Sequence, residues 1–565
     1  MSLRHAHRFL IGLTLVLGGA MLAWLVQTGN GVRVQDLRFP ASDGPRLSAL
    51  LYVPPSATPE RRAPAVLLVH TYLASREAQS GLAIELSRRG YVVLAIGQPG
   101  HGYSDPPAGT IGFGGPDGLR FLRSLVTVDR ARIGLAGHGL GGAAVLWAAQ
   151  SGPDQYQAMV LDGSAPGAAG THEGTRSFPR NLALIYGRYD MFSRPLWGIE
   201  RATDIGRAEK LAQVFGLQNG AVVGKVYGDP ATGLARVLFS PPIPDAATPI
   251  STEAIANAVN WFDRILRPGV VSNPGNQTWP WHAAGSAVAL SGLVVLLLGS
   301  FELLLRVPPL AGLAVPPETG ATGRDWRWLL DAILTAWVPV MTFFAFLGLG
   351  ATWVPAGPVF AQGVTNQILM WILLNAVIGF GVGRLLGSDH ATTTGRRGLA
   401  IICAIASVAI CMTVATLVAR GLTVDFHLWV VALKPLSLSR FALFLIYLPG
   451  FTLGFAIILH RLNAGLSVYG DSAVAQYVSN IGALAGGLTI FLAVQYGTLF
   501  ATGQLLTWTQ PANISLAVQL LPVMVAVAVI GTFTWRRTGN ALVGGLIAGM
   551  MVTWYVVGSQ AIHIS

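Results

Sequence analysis

Charge is what this chain has least of. Asp, Glu, Lys and Arg make up 11% of its 565 residues against 52% hydrophobic ones, far from the balance of an ordinary soluble domain, so a chain folded wholly in water is excluded. Lysine is almost absent, with only Lys210, Lys225 and Lys434, and arginine therefore carries most of the formal net charge of +11. That excess does not point to nucleic acid, because the arginines gather at the ends of apolar runs instead of on one soluble face. Cysteine is nearly missing too: Cys403 and Cys411 lie within one apolar run, which excludes a disulfide framework and a thiolate metal site. No cofactor motif is present, so neither a cofactor nor a metal is expected. Histidine is lacking throughout the stretch between His172 and His282.

The sequence divides into three parts. Arg4-His5-Ala6-His7-Arg8 precedes an apolar run from Phe9 to Val26. The run is long enough to span and no A-x-A cleavage site comes after it, so residues 1–31 are expected to be a cytoplasmic N-terminus and an uncleaved signal anchor. Positive charge before the run sends the next part of the chain to the outer side. Residues 32–272 alternate short β-branched runs with amphipathic helices, the pattern of a mostly parallel sheet covered on both faces. Strands are expected at 47–53, 65–70, 91–96, 132–136, 158–162 and 182–186, and helices at 79–89, near 117–125, from the turn after 132–136 to Gln150, and at 252–266. From residue 273 to 565 the chain is an all-α polytopic region of about eight spans, near 282–305, 329–353, 367–386, 398–419, 441–460, 475–495, 514–535 and 540–558. Arg306, Arg324, Arg327, Arg384, Arg396, Arg397, Arg461, Arg536 and Arg537 all fall in loops that this topology places inside, and the C-terminus then lies outside. Trp279-Pro280-Trp281 looks like an interfacial anchor. Glu302 and Asp331, near Arg306 and Arg327, are expected at the interface, and Asn375 and Asn480 as helix–helix hydrogen-bonding groups. The segment 422–434 mixes aromatic and charged residues and is expected to lie in the interface, dock beneath the preceding domain, or form a plain amphipathic loop.

Four motifs in order carry a resemblance. Leu68-Val69-His70-Thr71-Tyr72 comes at the end of the strand at 65–70. Arg89-Gly90-Tyr91-Val92-Val93-Leu94-Ala95-Ile96 leads to Pro99-Gly100-His101-Gly102-Tyr103-Ser104. Gly137-His138-Gly139-Leu140-Gly141 has the frame of G-x-S-x-G, and Tyr186-Gly187-Arg188-Tyr189-Asp190 completes the set. Residues 32–272 thereby resemble the α/β-hydrolase superfamily, in particular its dienelactone-hydrolase and serine-peptidase-like branches. The resemblance implies an α/β-hydrolase fold whose elbow would present a nucleophile between strand and helix.

Here the elbow holds Gly139 where the serine belongs. By the same resemblance Asp190 occupies the acid position, and the histidine would stand between the last strand and the final helix, around 237–251, where none occurs. Gln98 and Thr71 also depart from the family, which often has an aspartate at the first and a glycine at the second. Nucleophile and general base are both missing, and a serine mechanism needs both. Glycine fits the vacated place because it accepts positive φ without a Cβ. The oxyanion hole is implied to persist as the N–H groups of Leu140 and of Thr71 or Tyr72. Ser164, after a strand end, is the best substitute nucleophile. His138 is expected to pack beneath the elbow, with His70 and His101 structural.

The sequence is compatible with three readings. The leading one is a membrane-embedded, catalytically inactive hydrolase-like protein that serves binding, assembly or scaffolding. The alternatives are a membrane-bound ester, amide or lipid hydrolase with an unorthodox nucleophile, and a transporter or channel with a fused extracytoplasmic sensor. The expected partners are the lipid bilayer and another membrane protein or complex, not nucleic acid.

Overall fold

A computed structural model describes residues 6–107, 112–270, 273–317, 323–387, 396–468 and 470–563. Arg4 and His5 of the N-terminal basic cluster lie outside the described residues.

The strands are β1 (Arg33–Pro40), β2 (Arg46–Val53), β3 (Ala63–Val69), β4 (Val92–Ile96), β5 (Val128–His138), β6 (Ala158–Asp162), β7 (Leu182–Ile185), β8 (Val226–Tyr227) and β9 (Arg236–Phe239). They form one sheet in the order β1-β2-β4-β3-β5-β6-β7-β9-β8. From β4 to β9 every pairing is parallel, while β1, β2 and β8 join antiparallel at the edges. The central strands are Val/Leu/Ile/Ala runs buried along their whole length, as a sheet covered on both faces requires. β1, β8 and β9 have no counterpart among the expected strands. β1 has a mostly exposed pattern, so its polar edge sequence gives little periodic signal.

The chain opens with helix α1 (His7–Gln27). The sheet is covered by α2 (Ser80–Ser87), α3 (Gly115–Ser124), α4 (Leu140–Ser151), α5 (Ser193–Trp197), α6 (Glu209–Phe215) and α7 (Thr252–Leu266). Ser251 caps α7, its hydroxyl accepting the Ala254 N–H, which fixes the helix start.

The remaining helices are α8 (Trp279–Leu304), α9 (Pro308–Ala311), α10 (Trp326–Met341), α11 (Phe343–Trp353), α12 (Gly363–Leu386), α13 (Arg397–Leu422), α14 (Leu438–His460), α15 (Ala473–Thr502), α16 (Pro511–Thr538) and α17 (Ala541–Ser559). Among the described residues eight helices, α1 included, are long and apolar enough to cross a membrane, and the bent pair α10/α11 would make nine. The span expected at 329–353 is therefore broken, with a 52° bend. The break comes one turn after Pro339, where the helix loses a backbone donor. α12 holds it there: Trp371 Nε1 donates to the Pro339 carbonyl at 2.9 Å and Thr342 Oγ1 to Asn375 Oδ1 at 3.1 Å. Asn480 donates to Asn463 and Thr532 at 3.0 and 2.8 Å, so both asparagines bridge helices.

Partners from elsewhere in the chain hold three of the residues expected at the interface. Glu302 pairs with Arg8 at 2.5 Å and Arg537 at 3.5 Å. Asp331 is fully buried and paired with Arg461. Trp281 is exposed, but Trp279 is buried and its N–H donates to Glu85 of α2 at 3.0 Å. In each case a helix distant in sequence supplies the partner.

The segment 422–434 docks beneath the sheet domain. It forms a small hairpin, β10 (Phe426–Leu428) with β11 (Val431–Leu433). Lys434 is buried in an ion pair with Glu77 and also meets Ser75. Arg76 holds Asp36 at 2.6 and 2.8 Å and reaches Asp425 at 3.8 Å. The end of the chain joins the same contact: the Ile562 N–H and Arg440 Nη2 each donate to the Gly100 carbonyl at 2.9 Å. The C-terminal residues thus lie on the face that carries the sheet domain.

Candidate functional site

The site begins where β5 runs into α4. Gly139 stands between them at φ 53°, ψ −117°, a backbone conformation that costs any residue with a Cβ. Its N–H donates to the Asp162 carbonyl at 2.9 Å, which pins the turn to β6. A Cβ at Gly139 would lie 2.2 Å from Thr71 Oγ1 and 3.1 Å from Thr71 Cβ. The Thr71 side chain therefore occupies the place into which a nucleophile would project. Two residues on, a Cβ at Gly141 would meet the Val69 carbonyl oxygen at 2.2 Å, so α4 lies directly against the end of β3.

The loop after β3 is held from behind by His70. Its Nε2 accepts the Gln98 N–H at 3.0 Å and its Nδ1 faces the Thr71 carbonyl at 2.7 Å. Burial lowers its pKa to about 4, so the ring is neutral, with Nδ1–H as donor and Nε2 as acceptor. The departure at Gln98 fits its side-chain amide, which donates to the His70 carbonyl as an aspartate could not. Tyr72 turns its hydroxyl to His563 Nε2, 2.6 Å away. His101 is buried, with Nδ1 on the Pro99 carbonyl at 3.0 Å.

Asp190 comes after β7 and is buried. One oxygen accepts the Phe192 N–H at 2.7 Å, and the other has no hydrogen-bond partner among the described residues. Burial first, then the nearby Asp245 charge, raise its pKa well above the carboxylate range, favouring the neutral acid. Asp245 comes from the loop where the histidine was sought, and its Oδ1 lies 3.2 Å from His138 Nε2. Burial opposes charge on His138, but Asp245 and then Asp162 outweigh it and raise its pKa to about 9. Asp162 is itself raised to about 7, by burial first. Sequence reasoning passed over Asp245, yet it is the only ionisable residue between 237 and 251, and that was the available signal. His138 is beneath the elbow, paired with it.

Ser164 is fully buried, and a Cβ on Gly142 of α4 would lie 2.3 Å from its Oγ. That hydroxyl has no hydrogen-bond partner among the described residues, so no general base is brought to it. Among the described residues no group of three His, Cys, Asp or Glu side chains is arranged to hold a metal.

Above Gly139, Leu140, Thr71 and Tyr72 opens a chamber of about 370 Å³. Its floor belongs to the sheet domain and includes His138 and Asp245, while Trp429, Val430, Ala512, Ser515 and Gln519 roof it from the hairpin and α16. Two hydrogen bonds fasten the roof: Trp429 Nε1 donates to the Ala246 carbonyl at 2.6 Å, and Gln519 Nε2 to the Leu73 carbonyl at 3.1 Å. At the floor, the Gly142 N–H is taken by the Gly139 carbonyl at 3.0 Å, whereas the Leu140 N–H that opens α4 has no acceptor within the helix and can donate to a carbonyl or water. The mixed segment 422–434 allowed for the hairpin part of this roof, but nothing in the local sequence announces the part from α16.

No curated protein matches the chain. Among solved structures it is similar to a predicted CIB-like hydrolase from Thermoplasma acidophilum, at 18% identity over 41% of this chain and 100% of that one, with a TM-score of 0.29. A hypothetical protein from Pseudomonas aeruginosa matches at 16% identity over 42% of this chain and 95% of that one, with a TM-score of 0.31. An esterase from Pyrococcus furiosus matches at 17% identity over 41% and 93%, with a TM-score of 0.29. Residues 64–191 match the family model described as alpha/beta hydrolase fold. That match and the mostly parallel sheet bearing a strand–Gly139–helix elbow identify an α/β-hydrolase-fold domain, joined in one chain to a bundle of apolar helices.

Proposed function

We propose that the hydrolase-fold domain binds a ligand without cleaving it, and that it does so as the outer half of a polytopic membrane protein. One observation carries this reading: Thr71 fills the space that a nucleophile at position 139 would need. The missing histidine and the pairing of His138 with Asp245 support it, because a hydrolytic serine needs a base within reach. The chamber over the elbow remains, and a concave, mostly apolar pocket with a few polar groups is the usual form of a ligand site.

Two observations support a cell-membrane location with α1 retained as an anchor. Gly12 and Gly19 of α1 lie so close to α8 that a Cβ would meet Leu296 N at 2.4 Å and Ala289 N at 2.5 Å, and such small-residue seams let membrane helices pack closely. The arginines of the loops distant from the sheet domain favour placing that domain on the extracytoplasmic side.

The test is labelling of the full-length protein, in mild detergent, with a serine-reactive fluorophosphonate. No modified serine is expected. Stoichiometric labelling of Ser164 or any other serine would overturn the binding reading in favour of hydrolysis.

A further inference from the structure

The chamber's two halves come from different parts of the chain, and its roof is a face of an apolar helix. Ala512, Ser515 and Gln519 are three and four residues apart, so they share one side of α16, and all three line the chamber. The end of α15 and the loop before α16 present large apolar side chains at the surface. Phe500, Leu506 and Trp508 are large and exposed there. Trp508 stacks beneath the Arg194 guanidinium at 4.1 Å, and Tyr189 meets Phe500 edge-on at 4.9 Å. Arg194 belongs to α5, whose Leu196 lines the chamber together with the preceding Phe192. The α5 segment thus touches the exposed aromatic cluster through Arg194 and the cavity wall through Phe192 and Leu196.

The charges on the floor restrict the occupant further. Among the described residues His138 is the only basic side chain in the lining, and Asp245 already neutralises it at 3.2 Å. The acidic group in the lining, Asp245, offers an anion no attraction. A phosphate or free carboxylate would lose its hydration without gaining a cation. A neutral carbonyl loses much less, and it can accept a hydrogen bond from the Leu140 N–H at the start of α4.

Resting on the binding reading of the elbow, we infer that the chamber takes an acyl chain of a neutral lipid, an ester or amide such as a diacylglycerol. The acyl chain lies against Leu196, Phe192, Val430 and Trp429, and the carbonyl faces the elbow. Hairpin and α16 make the site complete only when the two halves of the protein are docked.

The experiment uses the full-length protein in phosphatidylcholine nanodiscs doped with a diacylglycerol whose acyl chain bears a diazirine. After photolysis, adducts are expected in the peptides carrying Leu196, Trp429 and Ala512. In A512W and S515F they fall by roughly tenfold or more, while V359W, on the exposed surface outside the chamber, leaves them unchanged. Excess unlabelled diacylglycerol competes, and phosphatidic acid or free fatty acid does not. Adducts confined to lipid-facing surfaces, equal labelling in A512W and S515F with unchanged melting temperatures, or competition by the anionic lipids would each overturn the inference. The two readings fail separately. Release of free diazirine fatty acid from the bound lipid would overturn the non-catalytic reading and leave the chamber assignment standing, whereas unlabelled chamber peptides with no fluorophosphonate-reactive serine would overturn the chamber assignment alone.

Discussion

Thr71 Oγ1 stands 2.2 Å from the point at which Gly139 would carry a Cβ. The two residues therefore fit each other, and reversing one without the other creates a clash. Gly139→Ser is expected to cost about 1–3 kcal/mol, from positive φ and from displacement of Thr71. Gly139→Ser with Thr71→Gly recovers part of that loss, and hydrolysis of a p-nitrophenyl ester stays at background in both because no histidine is supplied. Thermal melting and a simple ester assay check the pair.

The His138–Asp245 contact sets a pH dependence. With its pKa raised to about 9 in the folded state from about 6.5 unfolded, His138 contributes stability that is fully present below pH 6.5 and is lost as pH rises through 9. The loss is at most roughly 3 kcal/mol. Asp162, raised to about 7, changes stability in the same direction at lower pH. Melting temperatures measured between pH 6 and 9.5 should fall, and His138→Gln should flatten the decline above neutrality.

Lys434 and Glu77 form a buried pair across the seam between hairpin and sheet domain. Removing one partner strands the other in a poorly solvated place, so Lys434→Met should cost about 3–5 kcal/mol. Replacing both, as Glu77→Met with Lys434→Met, should restore most of the loss. A double-mutant cycle in melting temperature decides whether the pair or the packing matters.

Trp429 closes the chamber and donates to the Ala246 carbonyl. Trp429→Ala should open the roof. A reporter cysteine at Ser515 should then react faster with a maleimide than the same cysteine beneath an intact Trp429. The native Cys403 and Cys411 are both buried and remain slow.

Much of the fold was legible in the sequence because its signals are local. Alternating β-branched runs, the glycine frame around residue 139 and the long apolar stretches each lie within a few turns of chain, and the closing helix at 252–266 is marked by its cap and amphipathic period. The lack of a serine at 139 and of a histidine between 172 and 282 is likewise visible in the sequence. Tertiary structure alone decided what occupies those places. Thr71 fills the nucleophile's space, and Asp245 reaches His138 from 107 residues away. The partners of Glu302 and Asp331 come from distant helices, and Gln519 closes on Leu73 across 446 residues. Periodicity reports which face of an element is apolar, but it says nothing of which other element covers that face, because that choice is made by packing between segments remote in the chain.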